Sequence, residues 1–280
     1  MALPSKYFGH RKDLVAVMKI EQLFNQLPLW LLYVTTVVIV FLAVVIGFRW
    51  GSQIRRHKKS ATEAPIGTIV GAMLGLLAFI LAFSFGVAAS RFDVRKQLLL
   101  DEVNGIGTAF LRADFLPAVQ RAEARMLYRK YVDIRVEATQ HLEKLPQVLV
   151  DSVALHDQLW SQVSGLSEQY KDSVLFGLYT QALNDVIDLH TKRVTVVFQY
   201  RVPKSIWLAL YFLTILSMAA VGYDFGISGA GNLWIILLLA LGFSAIIVLI
   251  ADLDRPLEGL LKVNQKPMIE LQQQLSPSAK

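Results

Sequence analysis

The 280-residue chain contains no cysteine, so neither a disulfide framework nor a thiolate metal site can exist in it, and redox compartment leaves no trace. Charge is also scarce. Asp, Glu, Lys and Arg make up 18% of the residues, whereas a soluble domain carries about 25%. The familiar catalytic signatures are missing too. There is no His-Glu-x-x-His, no Gly-x-Ser-x-Gly, no phosphate-cradling glycine loop with its Lys-Ser/Thr, and no dinucleotide fingerprint. The five histidines (His10, His57, His141, His156, His190) show no metal-ligand spacing and are expected to be solvated helix-surface residues. No enzyme activity, cofactor or metal is expected from these residues.

What the chain has instead is apolar residues, 54% of the total with a mean hydropathy of +0.46, concentrated in four runs. These are Pro28–Phe48, Pro65–Ala89, Ser205–Tyr223 and Leu233–Ala251. Crossing about 30 Å of hydrocarbon at 1.5 Å per residue takes roughly 20 helical residues, so each run is long enough to span a bilayer. Ionisable residues occur only at their edges, at Arg49, Arg91, Lys204 and Asp252. An intramembrane hydrolase or proton-coupled transporter keeps such groups at membrane depth, and both readings weaken accordingly. Trp30, Trp50, Trp207 and Trp234 fall near run ends, where amphipathic rings settle. Residues 1–27 lack a small-residue cleavage site, so the first run is expected to stay in the mature protein.

The expected architecture is therefore an all-α membrane protein, with four transmembrane helices and a helical-bundle block inserted between spans two and three. Its parts are an N-terminal tail (1–27), a transmembrane hairpin (28–90), the soluble block (91–203), a second hairpin (204–252) and a C-terminal tail (253–280). Within the block apolar positions recur at helical spacing, as in Leu98, Leu99, Val103, Ile106 and Phe110, then Met126, Leu127, Tyr131 and Ile134. Pro117, Pro146 and Gly165 punctuate three or four helices. Nothing between Ala78 and Ala113 obliges a helix to stop, so the first helix of the block is expected to continue span two. The tail is rich in Gln and ends Ser-Pro-Ser-Ala-Lys, and its last dozen residues are expected to be disordered.

The net charge of +6 belongs to membrane flanks rather than to a nucleic-acid surface. Arg49, Arg55, Arg56, Lys58 and Lys59 crowd the first loop, which by itself argues for the cytoplasm. Both tails and the flanks of the block carry more basic residues in total. That count favours cytoplasmic N- and C-termini, with the block on the same side.

Span two has the most distinctive pattern. Gly67, Gly71 and Gly75 fall four apart, and Ala78 and Ala82 continue the same small face. Small residues at this spacing let helix backbones approach closely in lipid. The face could pack against the other spans or against a neighbouring copy. Phe79 and Phe83 sit beside it, one turn apart.

The run Leu76 to Lys96 (LLAFILAFSFGVAASRFDVRK), the run Asp101 to Pro117 (DEVNGIGTAFLRADFLP), and Asp252-Leu253-Asp254-Arg255-Pro256 with Gly259 resemble the bacterial bestrophin-like domain family. More distantly, the chain is similar to the bestrophins, pentameric anion channels whose second span lines the pore with an apolar neck and ends in Thr-Arg-aromatic. The resemblance implies a homo-oligomeric, pentameric, anion-conducting channel in the bacterial inner membrane. It makes Phe79 and Phe83 neck residues, with Ser90-Arg91-Phe92 closing the span. The third neck position falls on Gly75, a departure that widens the constriction there. Arg91 and Arg95 at one mouth, and Arg55, Arg56, Lys58 and Lys59 at the other, would enrich anions. The partners implied are further copies of the chain, lipid and inorganic ions. Of the family's acidic calcium run only Asp252 and Asp254 remain, against the six to eight oxygens that Ca²⁺ takes. The rival reading is a membrane-anchored scaffold or sensor whose helical block binds a partner.

Overall fold

The computed structural model describes residues 28–57, 66–229, 232–256 and 259–276. Among them are eight α-helices and no strand: α1 Leu29–His57, α2 Ile66–Arg112, α3 Ala118–Gln140, α4 Leu145–Leu166, α5 Val174–Gln199, α6 Lys204–Ser228, α7 Leu233–Asp254 and α8 Lys266–Leu275. Single 3₁₀ turns at Ala113–Phe115 and Leu142–Lys144 lead into α3 and α4. Four helices are long and apolar enough to cross a membrane. The helix boundaries follow local chemistry. Pro117 and Pro203 stand immediately before α3 and α6, and Pro146 lies in the first turn of α4, where the missing N–H costs nothing. Ser173 and Asn232 cap α5 and α7 by accepting the N–H groups of Phe176 and Trp234. Gly229 ends α6 at a φ of +76°, which suits a residue without a Cβ. Gly165 does not break its helix but lies one residue from the end of α4.

The 47 residues of α2 form one unbroken helix. At 1.5 Å per residue that is roughly 70 Å, more than twice the thickness of a hydrocarbon core. Two compact units divide the described residues. One takes 28–92 with 201–261, the other 93–200 with 262–276, so α2 contributes to both.

In the first unit, α1 and α6 approach most intimately. A methyl group added at Gly47 would overlap the Ala219 carbonyl, and one at Gly51 the Tyr223 carbonyl. Added at Gly222 or Gly226, it would strike the carbonyls of Val44 and Phe48. Two glycine pairs four residues apart thus face each other, which is how helices gain contact in lipid. Tyr211 and Thr36 exchange a 2.9 Å hydrogen bond between the same two helices. Leu77, Leu81 and Ala88 of α2 join Val40, Val44, Leu210, Met218, Ile236 and Ile247 in the core, and Ser217 donates to the Met73 carbonyl over 3.2 Å.

In the second unit, the later part of α2 packs with α3, α4 and α5 around Leu99, Ile106, Tyr128, Tyr131, Leu155, Leu159, Tyr179 and Leu183. Here the tail corrects its composition. Instead of being disordered, residues up to Leu275 belong to α8, which buries Met268, Leu271 and Leu275 in this core, while residues 277–280 of the tail lie outside the described residues. Arg129 donates to the Leu275 carbonyl at 2.6 Å and Gln272 to Asp133 at 2.8 Å, fixing α8 along α3. The histidines need correction as well. His57 and His141 are exposed, but His156 and His190 are 5% and 3% exposed, inside the block. His10 lies outside the described residues.

Candidate functional site

The buried stripe of α2 within the membrane unit is Val70, Leu77, Leu81, Ser84 and Ala88. At 3.6 residues per turn, Phe79 falls on the diametrically opposite side of the helix and Phe83 about 40° from it. Both rings therefore point away from the core of their own protomer. Phe79 is 66% exposed and Phe83 49%. Gly67, Gly71 and Gly75 have nothing within 4 Å of where a Cβ would stand, and Ala78 and Ala82 are exposed beside them. Among the described residues, the small-and-aromatic face is thus left largely uncovered by the other helices of the protomer. The close glycine packing is carried instead by Gly47, Gly51, Gly222 and Gly226.

The basic residues divide. Arg55 and Arg56 are exposed in the last turn of α1, where cations complement the helix dipole. The Arg55 guanidinium lies against Gly229. Lys58 and Lys59 lie outside the described residues. Arg91 is half-buried, and Arg95, only 6% exposed, is on the buried side of α2. Neither shares the face of Phe79, because both sit more than 100° round the helix from it. Asp252 and Asp254 serve the backbone. Asp252 accepts the N–H groups of Leu260 (2.8 Å) and Leu261 (3.0 Å), and Asp254 that of Val202 (2.8 Å). Gly259, at a φ of +139°, leaves room for the Asp252 carboxylate, which a Cβ there would strike. Among the described residues no group of three or more His, Asp or Glu is placed to hold a metal.

A second polar centre lies inside the helical block, and none of its members was expected from spacing. Glu102 of α2 is fully buried. Tyr131 of α3 donates its hydroxyl to Glu102 Oε1 over 2.6 Å, Arg135 donates to Oε2 at 3.3 Å, and Arg193 of α5 pairs with Oε2. His190 of α5 stands 3.1 Å from the Tyr131 oxygen through Nδ1, and since that hydroxyl proton goes to Glu102, Nδ1 is the donor. The His156 ring of α4 lies 4.8 Å from Tyr131 and 5.0 Å from His190. Its Nε2 has no hydrogen-bond partner among the described residues. Burial pushes the Glu102 carboxyl up, but Arg135, Arg193 and the Tyr131 hydroxyl outweigh it and hold it well below the usual carboxylate range. Burial pushes His156 down to about 4, with Glu102 opposing and Arg135 reinforcing the shift. It takes His190 well below its ordinary value, helped by Arg135 and His156. One signal for this centre is in the sequence. Glu102 lies on the same apolar helix face as Leu99, Ile106 and Ala109, where a carboxylate requires partners.

Fold and composition together define an all-α, multi-span membrane protein with a helical block. The bestrophin-like domain family matches residues 34–268, and the chain belongs to that family. Its fold is shared by crystal structures of a bacterial bestrophin homolog from Klebsiella pneumoniae carrying single substitutions. One is 14% identical with a TM-score of 0.61, covering 86% of this chain and 97% of that one. Another is 17% identical with a TM-score of 0.59, covering 88% and 97%. No curated protein is a match.

Proposed function

We propose that this protein is a homo-oligomeric ion channel, pentameric by its family resemblance, in which α2 lines the pore and Phe79 and Phe83 form the constriction. One observation carries the reading. The aromatic rings face away from the protomer's own core and stay largely exposed, and among the described residues nothing approaches the glycines beside them. In a ring of copies with α2 toward the axis, Phe79 and Phe83 make two stacked apolar collars. Such a collar strips hydration without offering polar replacements, so it gates by wetting and dewetting. Gly75 leaves the third level wide. Arg55 and Arg56, exposed at the end of α1, supply the positive potential that enriches anions at one mouth. The chain resides in a bacterial inner membrane with both termini in the cytoplasm, so reporters after Lys280 and near Gly165 will both report cytoplasm.

The deciding experiment is ion flux in liposomes with Phe79→Ala/Phe83→Ala. Widening and wetting the path raises flux for chloride over sodium, with assembly intact, and Phe83→Ala alone gives a smaller rise. If the double variant assembles normally and vesicles with either form stay as tight as empty ones to anions and cations, the chain is no channel. The helical block, as a partner-binding scaffold, then becomes the seat of function.

A further inference from the structure

The cluster around Glu102 has an unusual charge inventory. Four helices contribute to it: Glu102 from α2, Tyr131 and Arg135 from α3, His156 from α4, and His190 and Arg193 from α5. One carboxylate faces two guanidiniums, and its two oxygens already receive three donors. The two imidazoles beside it are neutral and more than nine-tenths buried. A proton arriving on either ring would create a third cation with no free carboxylate to meet it. Buried charge without a partner is far costlier than charge in water. The proton is therefore accommodated far more readily when the helices part and water enters.

We propose that this cluster is a proton-operated latch: protonation of His156 and His190 releases the four helices that Glu102, Tyr131, Arg135 and Arg193 hold together. The groups facing His156 are Tyr131, His190, Glu102 and Arg135, and those facing His190 are Tyr131, His156, Glu102, Arg135 and Arg193. The carboxylate favours protonation, whereas the arginines and burial oppose it, and the opposition prevails. A ring whose proton affinity is lower in the closed block than in water shifts the population toward the open block as pH falls. With His156 at about 4 when closed and 6.5 when free, that ring alone raises the open population about thirtyfold between pH 7.5 and pH 5. The latch stands whether or not the chain conducts ions.

The lack of cysteine makes the test clean. Ser152, one turn before His156 on α4, is fully buried, and Ser152→Cys places a single thiol there in the full-length protein. Its reaction with 4,4′-dithiodipyridine, which proceeds at acid pH, is followed from pH 7.5 to pH 5 and normalised to a small thiol at each pH. The latch requires labelling to rise at least tenfold. It also requires His156→Gln and His190→Gln each to cut the rise severalfold, while His141→Gln at the exposed position leaves it unchanged. A variant already labelled fast at pH 7.5 is replaced by His156→Phe, which keeps ring volume without a titratable nitrogen. A flattened pH profile there supports the latch. No rise in the parent, or an equal rise with and without the two histidines, overturns it.

Discussion

Gly222 of α6 sits directly against the Val44 carbonyl of α1, so that a single added methyl would occupy the oxygen's place. Gly226 meets Phe48 in the same way one turn on, and Gly47 and Gly51 meet Ala219 and Tyr223 from the other side. Backbone cannot swing aside as a long side chain can. Gly222→Val is therefore expected to cost about 1–3 kcal/mol or more through overpacking, and to lower the melting midpoint in detergent by several degrees. Gly242→Ala on α7, where nothing lies within 4 Å, is the control and should leave the midpoint unchanged.

Replacing Glu102 by Gln leaves Arg135 and Arg193 buried without their counter-charge. Removing one member of a buried ion cluster costs about 3–5 kcal/mol, so Glu102→Gln is expected to loosen the helical block, seen as faster hydrogen exchange in residues 93–200. Tyr131→Phe removes one donor and costs less, about 1–3 kcal/mol. The pH dependence has a definite sign. Glu102 is held low in the folded block, so its contribution is complete above its unfolded value of 4.5 and is lost as pH falls further. His156 is held down to about 4, so its penalty begins earlier, as pH falls through 6.5. Unfolding stability should thus decline first between pH 6.5 and 4, ahead of ordinary carboxylate titration.

Asp252 ties the chain after α7 through two backbone N–H groups, and Asn retains only one acceptor oxygen. Asp252→Asn is expected to destabilise by about 1–2 kcal/mol, and Gly259→Ala, which collides with the same carboxylate at a positive φ, by a comparable amount. Calcium or a chelator should shift the melting midpoint of neither variant nor parent. A calcium-dependent midpoint in the parent would assign Asp252 a ligand role instead.

Leu271→Asp puts a charge where α8 enters the core of the block. A loss of about 2–5 kcal/mol is expected, as for large core disruptions, with trypsin cutting the block at concentrations that leave the parent intact. Removing residues 264–280 should have the same effect.

The membrane part was legible because lipid imposes a coarse rule: about twenty apolar residues with no charge. The continuity of α2 was legible because a helix of good formers stops only for a reason. α8 was obscured by composition. Gln272, Gln273 and Gln274 suggest disorder, while Met268, Leu271 and Leu275 sit at helical spacing on one face, and the spacing decides. The Glu102 cluster was less accessible still. Its partners stand 29, 33 and 91 residues away along the chain, and local spacing carries no trace of contacts at such separations. The glycine contacts of α1 and α6 were hidden differently. Two short pairs in separate helices are a weaker pattern than the three-glycine ladder of α2, which faces outward in the protomer.

The burial of α8 also sets an order in time. Met268, Leu271 and Leu275 follow α6 and α7 in the chain, yet they complete a core whose other buried members lie between residues 99 and 186. Domains usually close soon after their own residues emerge. This block must wait, with its α3 surface uncovered, until α6, α7 and then α8 have been made. A ribosome that stalls after α7 releases a protein with all four apolar helices and an unfinished block. Such a product leaves bare the apolar surface that Met268, Leu271 and Leu275 would have covered, and proteases are expected to reach it.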